Sequence, residues 1–245
     1  MTGATMRLIR AELTLVRRDP FVLSFVVAFP VVTMLVIGGA FGTTPDPAFD
    51  GTDPAHWYVA SYLTVVIGAV GLVMLPVHLA SYRERGVLRR FAVAGFPRWS
   101  FAISSLVTGL AATLAACTLL LVVATPVYGL PSLHNTWRVA LALIIGAVGF
   151  MALGVLLGTL LPSARAAQAV GLLLFFPSFL LGSGGPPPHV MGAAMRAIAG
   201  PLPLTMLTTA VRSPWLGIGT ATASLLGLAA FTVLMTAIAA RRAVL

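Results

Sequence analysis

Six long apolar runs, separated by short polar stretches, organise this 245-residue chain. They fall at about 20–41, 58–80, 99–125, 138–161, 166–182 and 215–239, each near the roughly 20 residues a helix needs to cross a hydrocarbon core. Asp19-Pro20 opens the first run well, because Asp caps orphan N–H groups and Pro suits a first helical turn. Before it, Met6, Ile9, Leu13 and Val16 recur at helical spacing while Arg7, Arg10, Arg17 and Arg18 lie elsewhere. That pattern predicts an interfacial helix over 5–18, lying on the inner leaflet with its arginines at lipid phosphates. The fifth run is short, contains Pro177 and ends in GSGGPPP. From 183 to 213 the chain stays apolar but is broken by prolines, with brief helices predicted at about 188–199 and 204–212. Irregular backbone at membrane depth requires cover from protein, so this stretch reads as a re-entrant hairpin.

Composition strengthens the membrane reading. The chain is 59% hydrophobic and 9% charged, against roughly 25% charged in soluble domains, and its mean hydropathy is +1.01. The expected class is an all-α integral membrane protein. All 15 basic residues are arginine, so the chain has no lysine. The net charge of +9 would suit a nucleic-acid partner, but the arginines lie in short loops between spans, as topology signals do. With both termini inside, 12 arginines face the cytoplasm and three, Arg138, Arg196 and Arg212, face out. The 42–57 loop has no basic residue and holds Asp46, Asp50 and Asp53. A multi-pass membrane protein with cytoplasmic termini follows. The first run is too long for the roughly 7–15-residue core of a secretory signal and is read as a retained span. Cys117, the single cysteine, excludes an internal disulfide.

One inner segment departs from the apolar pattern. Between Tyr82 and Trp99 the chain reads YRERGVLRRFAVAGFPRW. On a helix Glu84, Val87, Leu88 and Phe91 share a face, with Arg85 and Arg89 on one flank and Arg83 and Arg90 on the other. A lone carboxylate amid apolar side chains, ringed by guanidinium groups, suits a docking knob for a cytoplasmic protein. A basic loop that only sets topology is the plainer alternative.

Several chemistries are missing. A P-loop needs Gly-Lys-Ser/Thr, which a lysine-free chain cannot supply. His56, His78, His134 and His189 are scattered, without metal-site spacing. No Asp, Glu or Arg falls deep in a predicted span, which disfavours proton-driven pumping. The chain is therefore not expected to be an enzyme or to hold a cofactor. His78, near the inner end of its span, is read as snorkelling to the interface, with a gating role as the alternative. Gly38/Gly42 and Gly154/Gly158 permit close helix approach, within one subunit or across a dimer seam. Phe175, Phe176 and Phe179 are candidates to line a hydrophobic substrate path or to contact lipid and neighbouring helices.

The segment RERGVLRRFAVAGFPRW and the run FPSFLLGSGGPPP…GPLPLTMLTTAVR, in this order and within six spans, resemble the ABC-2 type permeases. These are membrane subunits of ATP-binding-cassette exporters, and the similarity is greatest to antibiotic and multidrug efflux members. The resemblance covers essentially the whole chain. One departure is GGPPPHVMGAAMRA, where family members often carry acidic or aromatic residues. The resemblance implies that 82–98 forms a coupling helix docking on a separate ATPase subunit, with Glu84, Gly86, Arg89 and Arg90 at the contact and Arg83, Arg85, Leu88 and Phe91 beside them. It implies two ATPase subunits that bind ATP-Mg, and a second, identical or different, permease subunit. Thr205 of the Pro-Leu-Thr motif joins the phenylalanines as a candidate path residue. The expected cargo is an amphipathic or hydrophobic small molecule, with a lipid-linked glycan as the alternative. A non-transporting scaffold or sensor that recruits a cytoplasmic partner, and an ATP-independent channel or carrier, are the competing classes.

Overall fold

The carboxylate of Asp19 accepts hydrogen bonds from the backbone N–H groups of Phe21 (2.9 Å) and Val22 (3.4 Å), and Pro20 follows it into the first apolar helix. This local chemistry starts α2 where the Asp-Pro pair predicts. The computed structural model describes residues 3–87 and 98–243. Within them α1 spans Gly3–Arg17 and α2 spans Pro20–Ala40. Then come α3 (Pro54–Glu84), α4 (Arg98–Tyr128), α5 (Thr136–Leu160) and α6 (Ala164–Ser183). Two short helices, α7 (Ala193–Ala199) and α8 (Pro203–Leu216), precede α9 (Thr222–Ala243). Six of these helices, α2 to α6 and α9, are long and apolar enough to cross a membrane. The described residues contain no β-strand, only an isolated bridge between Asp46 and Thr52.

Two helices differ from the hydropathy boundaries. α3 has 31 residues because Asp53 caps it at Ala55 N–H (2.7 Å) and the helix runs on through Pro76 to Glu84. The last apolar helix begins at Thr222 rather than near 215. Trp215 and Leu216 instead finish α8, which Gly217 ends in a left-handed conformation (φ +75°) while Ile218 N–H bonds back to Ser213 C=O at 3.1 Å. That closure satisfies carbonyls that a helix end leaves open.

α3 is the central element. In its most apolar stretch 89% of residues are buried, against 17–56% in the other five long helices. The outer helices expose apolar side chains, among them Leu114 of α4, Leu173 of α6 and Val233 of α9. That surface suits lipid, not water. Close approach comes from glycine. A Cβ on Gly154 would lie 2.5 Å from the Gly71 carbonyl oxygen, and one on Gly171 would lie 2.3 Å from that of Leu72. Gly154 and Gly158 thus face Leu75 and Leu79 of α3 in the same subunit, and their spacing is used for packing within the chain. Gly38 meets the ring of Tyr128, whereas Gly42 has open space around it.

α2 and α3 each contain a wide π turn, at Leu23–Ala28 and Val70–Met74. Pro30 and Pro76 follow them. Proline lacks the N–H for an i→i−4 bond and its ring crowds that carbonyl, so a widened turn relieves both problems.

α1 packs on α4 differently from the predicted stripe. Val16 and Glu12 are buried and Met6 is exposed. At 14 residues, α8 would be about 21 Å long, short of a roughly 30 Å hydrocarbon core. It lies against α3, α5 and α9 with Leu204, Leu207 and Val211 buried.

Candidate functional site

At the end of α3, two adjacent charged side chains grip the turn between α5 and α6. The Arg83 guanidinium donates to the carbonyls of Gly158 (3.5 Å), Thr159 and Leu161 (3.4 Å), where α5 ends. Glu84 Oε2 accepts from the backbone N–H of Ala164, the first residue of α6, at 3.2 Å. Ser163 caps the same helix through Ala166 N–H at 3.2 Å. Each charge complements its helix end, since C-terminal carbonyls carry partial negative charge and N-terminal N–H groups partial positive. This Arg-Glu clamp joins the root of the 82–98 segment to the 161–163 turn.

The geometry corrects one sequence expectation. Glu84 does not share a helix face with Val87, because α3 ends at Glu84 and Gly86 adopts φ +67°. Glu84 and Arg83 are exposed but engaged within the chain; Arg85 is exposed as well. Leu88, Arg89, Arg90 and Phe91 lie outside the described residues. Sequence reasoning singled out Arg83 and Glu84 for their charge, yet their partners are backbone groups some 75–80 residues away, which no local pattern reveals.

A second feature was missed altogether. Glu12 is 1% exposed, and its Oε2 accepts a hydrogen bond from Thr108 Oγ1 of α4 at 3.0 Å. Its Oε1, and the hydroxyls of Ser104 and Ser105, are buried without hydrogen-bond partners among the described residues. Burial pushes the Glu12 carboxyl above its ordinary range, while the Thr108 hydrogen bond pulls the other way. The folded state thus favours the protonated acid. Its stabilising contribution is full below the unfolded value and is lost as pH rises through the raised folded value. Glu12→Gln keeps an acceptor for Thr108 and removes the buried charge. The variant is expected to melt about 2–4 °C above the parent at pH 8, with the gap closing towards pH 4, as read by thermal unfolding in detergent. A gap independent of pH would refute this role for the carboxylate.

The bundle interior combines an aromatic ladder with a polar seam. Phe175 and Phe179 are buried, packed on Phe29 of α2 at ring-centroid distances of 5.9 and 5.4 Å. Phe176 is 39% exposed and meets Phe25 edge-on. The ladder continues from Phe179 to Tyr62 of α3 at 6.0 Å. Beside it, Thr64 Oγ1 lies 2.7 Å from Thr208 Oγ1 and 3.3 Å from Ser183 Oγ, and Ser183 also bonds to Thr208. Thr205 Oγ1 is buried without a hydrogen-bond partner among the described residues and faces Gly182. The structure therefore brings Phe175, Phe179 and Thr205 to one junction of α2, α3, α6 and α8.

Arg212, counted among the exterior arginines at the end of the predicted 204–212 helix, lies inside the protein. It is the last-but-four residue of α8, 4% exposed, with Nη1 3.2 Å from Ser61 Oγ and Cζ 3.6 Å from the centroid of the Trp57 ring. Its sequence signal was its own proline-flanked context, which hydropathy counted as a break. His78 is half-buried, its ring 4.4 Å from that of Tyr82 and its Nε2 buried without a hydrogen-bond partner among the described residues. At the other end of the bundle His189 and Asp50 pair at 2.7 Å, tying the Pro186–Pro188 stretch to the 41–53 loop.

Five long apolar helices around a buried central one, with clamped helix ends and an interior polar seam, define a multi-pass helical membrane protein. Its sequence matches the family model of the ABC-2 type transporters over residues 4–216, and the chain belongs to that family as a permease subunit. No curated protein matches it.

Proposed function

We propose that this permease subunit forms the export path for an amphipathic or hydrophobic small molecule and is driven by a separate ATP-hydrolysing subunit. The lysine-free sequence has no P-loop of its own, so the energy for pumping comes from outside the chain. The observation that carries this reading is the Arg83–Glu84 clamp. It supports a mechanical link between the 82–98 segment and two spans, α5 and α6, as an energised partner would require. In this reading 82–98 is the coupling segment. Arg85, Gly86, Leu88, Arg89, Arg90 and Phe91 meet the ATPase, while Arg83 and Glu84 pass its motion to the α5–α6 turn. The bundle then exchanges inward- and outward-facing packings as a two-state switch. Two ATPase subunits and two permease subunits, equal or different, complete the assembly. The clamp end and both termini face the cytoplasm of a bacterial cell, and α7 and α8 re-enter the membrane from outside. The apolar ladder around Phe175, Phe176 and Phe179 supports an amphipathic or lipid-like cargo, including drugs or antibiotics.

Co-expression with a candidate ABC-type ATPase from the same organism tests the reading. The tagged permease is expected to retain that ATPase through purification, and the pair to hydrolyse ATP in vesicles. A permease that purifies free of the ATPase, and leaves its hydrolysis unchanged on mixing, overturns it.

A further inference from the structure

The guanidinium of Arg212 is a buried cation with no counter-ion. Among the described residues no carboxylate lies within 4.0 Å of it. Asp50 is the carboxylate whose field reaches it, but Asp50 is held by His189. Of its five N–H donors, one meets Ser61, and Nε is buried with no partner among the described residues. Stacking on Trp57 holds the plane of the group without neutralising it. A buried unpaired charge is costly, and an ionisable side chain at membrane depth marks a functional site with a partner of opposite sign.

The surroundings describe that partner. Thr205, Thr208 and Arg212 recur along one side of α8 at helical spacing and face α3 and the end of α6. Tyr62 OH and Thr205 Oγ1 are further buried hydroxyls without hydrogen-bond partners among the described residues. The same Tyr62 ring is the end of the phenylalanine ladder. A charged and hydroxyl-rich strip therefore lies beside an apolar one, matching a molecule with a polar head and an apolar tail. A guanidinium fork favours carboxylate or phosphate, whose paired oxygens accept two parallel N–H bonds.

We propose that Arg212 is the recognition point for an oxyanion, a carboxylate or phosphate, on the head of the amphiphile this protein moves. The site deepens the export reading above, on which its physiological meaning rests. Trp57 and Ser61 orient the guanidinium, and the hydroxyls of α8 offer the head a hydrogen-bonded route to it.

Equilibrium binding to the full chain in phosphatidylcholine nanodiscs tests this without any ATPase, so its outcome is separate from that of the export reading. The probes are radiolabelled decyl phosphate and decyltrimethylammonium, which share a tail and differ in head charge. Decyl phosphate is expected to bind saturably and at least about 10-fold more tightly, as one charge-assisted hydrogen-bond pair provides. Arg212→Lys keeps the preference with affinity weakened several-fold, because the point charge lacks the fork. Arg212→Gln loses the preference. Replacing part of the phosphatidylcholine by phosphatidylglycerol separates two sources of the oxyanion. Competition supports a site that a lipid headgroup fills, and unchanged affinity supports one reserved for cargo. Equal binding of the two probes by the parent protein overturns the proposal even if Arg212→Gln cannot be recovered folded. A folded Arg212→Gln that keeps the preference leaves Arg212 as a structural brace and overturns it too.

Discussion

Glu84→Arg is expected to lower cargo-stimulated ATP hydrolysis by the permease–ATPase assembly about tenfold, equivalent to about 1.4 kcal/mol of lost coupling. The substitution removes the acceptor at Ala164 N–H and sets a cation against the partial positive charge of the α6 N-terminus. It also crowds the neighbouring Arg83, whose guanidinium holds the end of α5. Because Glu84 is exposed, the loss of one hydrogen bond of roughly 1 kcal/mol leaves the six spans folded. What goes is the fixed geometry between residues 83–84 and the 161–163 turn. Glu84→Gln separates clamp from docking knob, since its amide oxygen still accepts from Ala164 while its charge is gone. Near-parental stimulation in the Gln variant assigns the effect to the clamp. Equal loss in both variants assigns it to the carboxylate charge at the partner surface. Undiminished stimulation in Glu84→Arg removes Glu84 from coupling altogether. The readout is phosphate release from the reconstituted pair, with thermal unfolding as the control for integrity.

The largest effect on stability is expected at Gly154. A Cβ there would stand 2.5 Å from the Gly71 carbonyl oxygen and 3.0 Å from Leu75 Cβ. Backbone on one side and a buried side chain on the other leave nothing flexible to yield. Gly154→Val must force α5 away from α3, opening the bundle around its most buried helix. Overpacking of this kind costs about 1–3 kcal/mol, which lowers the thermal midpoint in detergent by roughly 2–12 °C. Gly192→Ala is the matched control, since a Cβ there meets nothing within 4 Å, and it should leave the midpoint unchanged. A Gly154→Val protein as stable as the control would mean that α3 and α5 are not in contact through this glycine.

The positions legible from the sequence share a physical origin. Apolar runs are long because a hydrocarbon core has a fixed thickness, so five of the six long helices begin within a few residues of the hydropathy estimate. Asp19-Pro20 is local chemistry, and the helix starts there. The α9 boundary was missed because Trp215 and Leu216 are as apolar as a span, and only the left-handed turn at Gly217 separates them from it. Hydropathy averages side chains and does not register a change of backbone direction. The helical face through Glu84 and Val87 failed for the same reason, with Gly86 as the break.

Glu12 and Arg212 show a different limit. Glu12 lies on the arginine-rich helix that the sequence places at the lipid interface, and Arg212 is one of three arginines that it counts to the exterior. Their burial depends on α4 and on α3, respectively, and side chains so far apart in the chain leave no common periodicity.

The sequence by itself determined the solvent this protein lives in, the number and approximate place of its long apolar helices, and its resemblance to the permeases. Each follows from residue type and run length, quantities that every stretch of chain carries alone. Only the tertiary structure decided that Gly154 and Gly158 serve the inside of one subunit. Only it turned Arg83 and Glu84 into a clamp on two helix ends, and withdrew Glu12 and Arg212 from the surface. Those are properties of pairs, and a pair distant in sequence becomes physical only when the helices have packed.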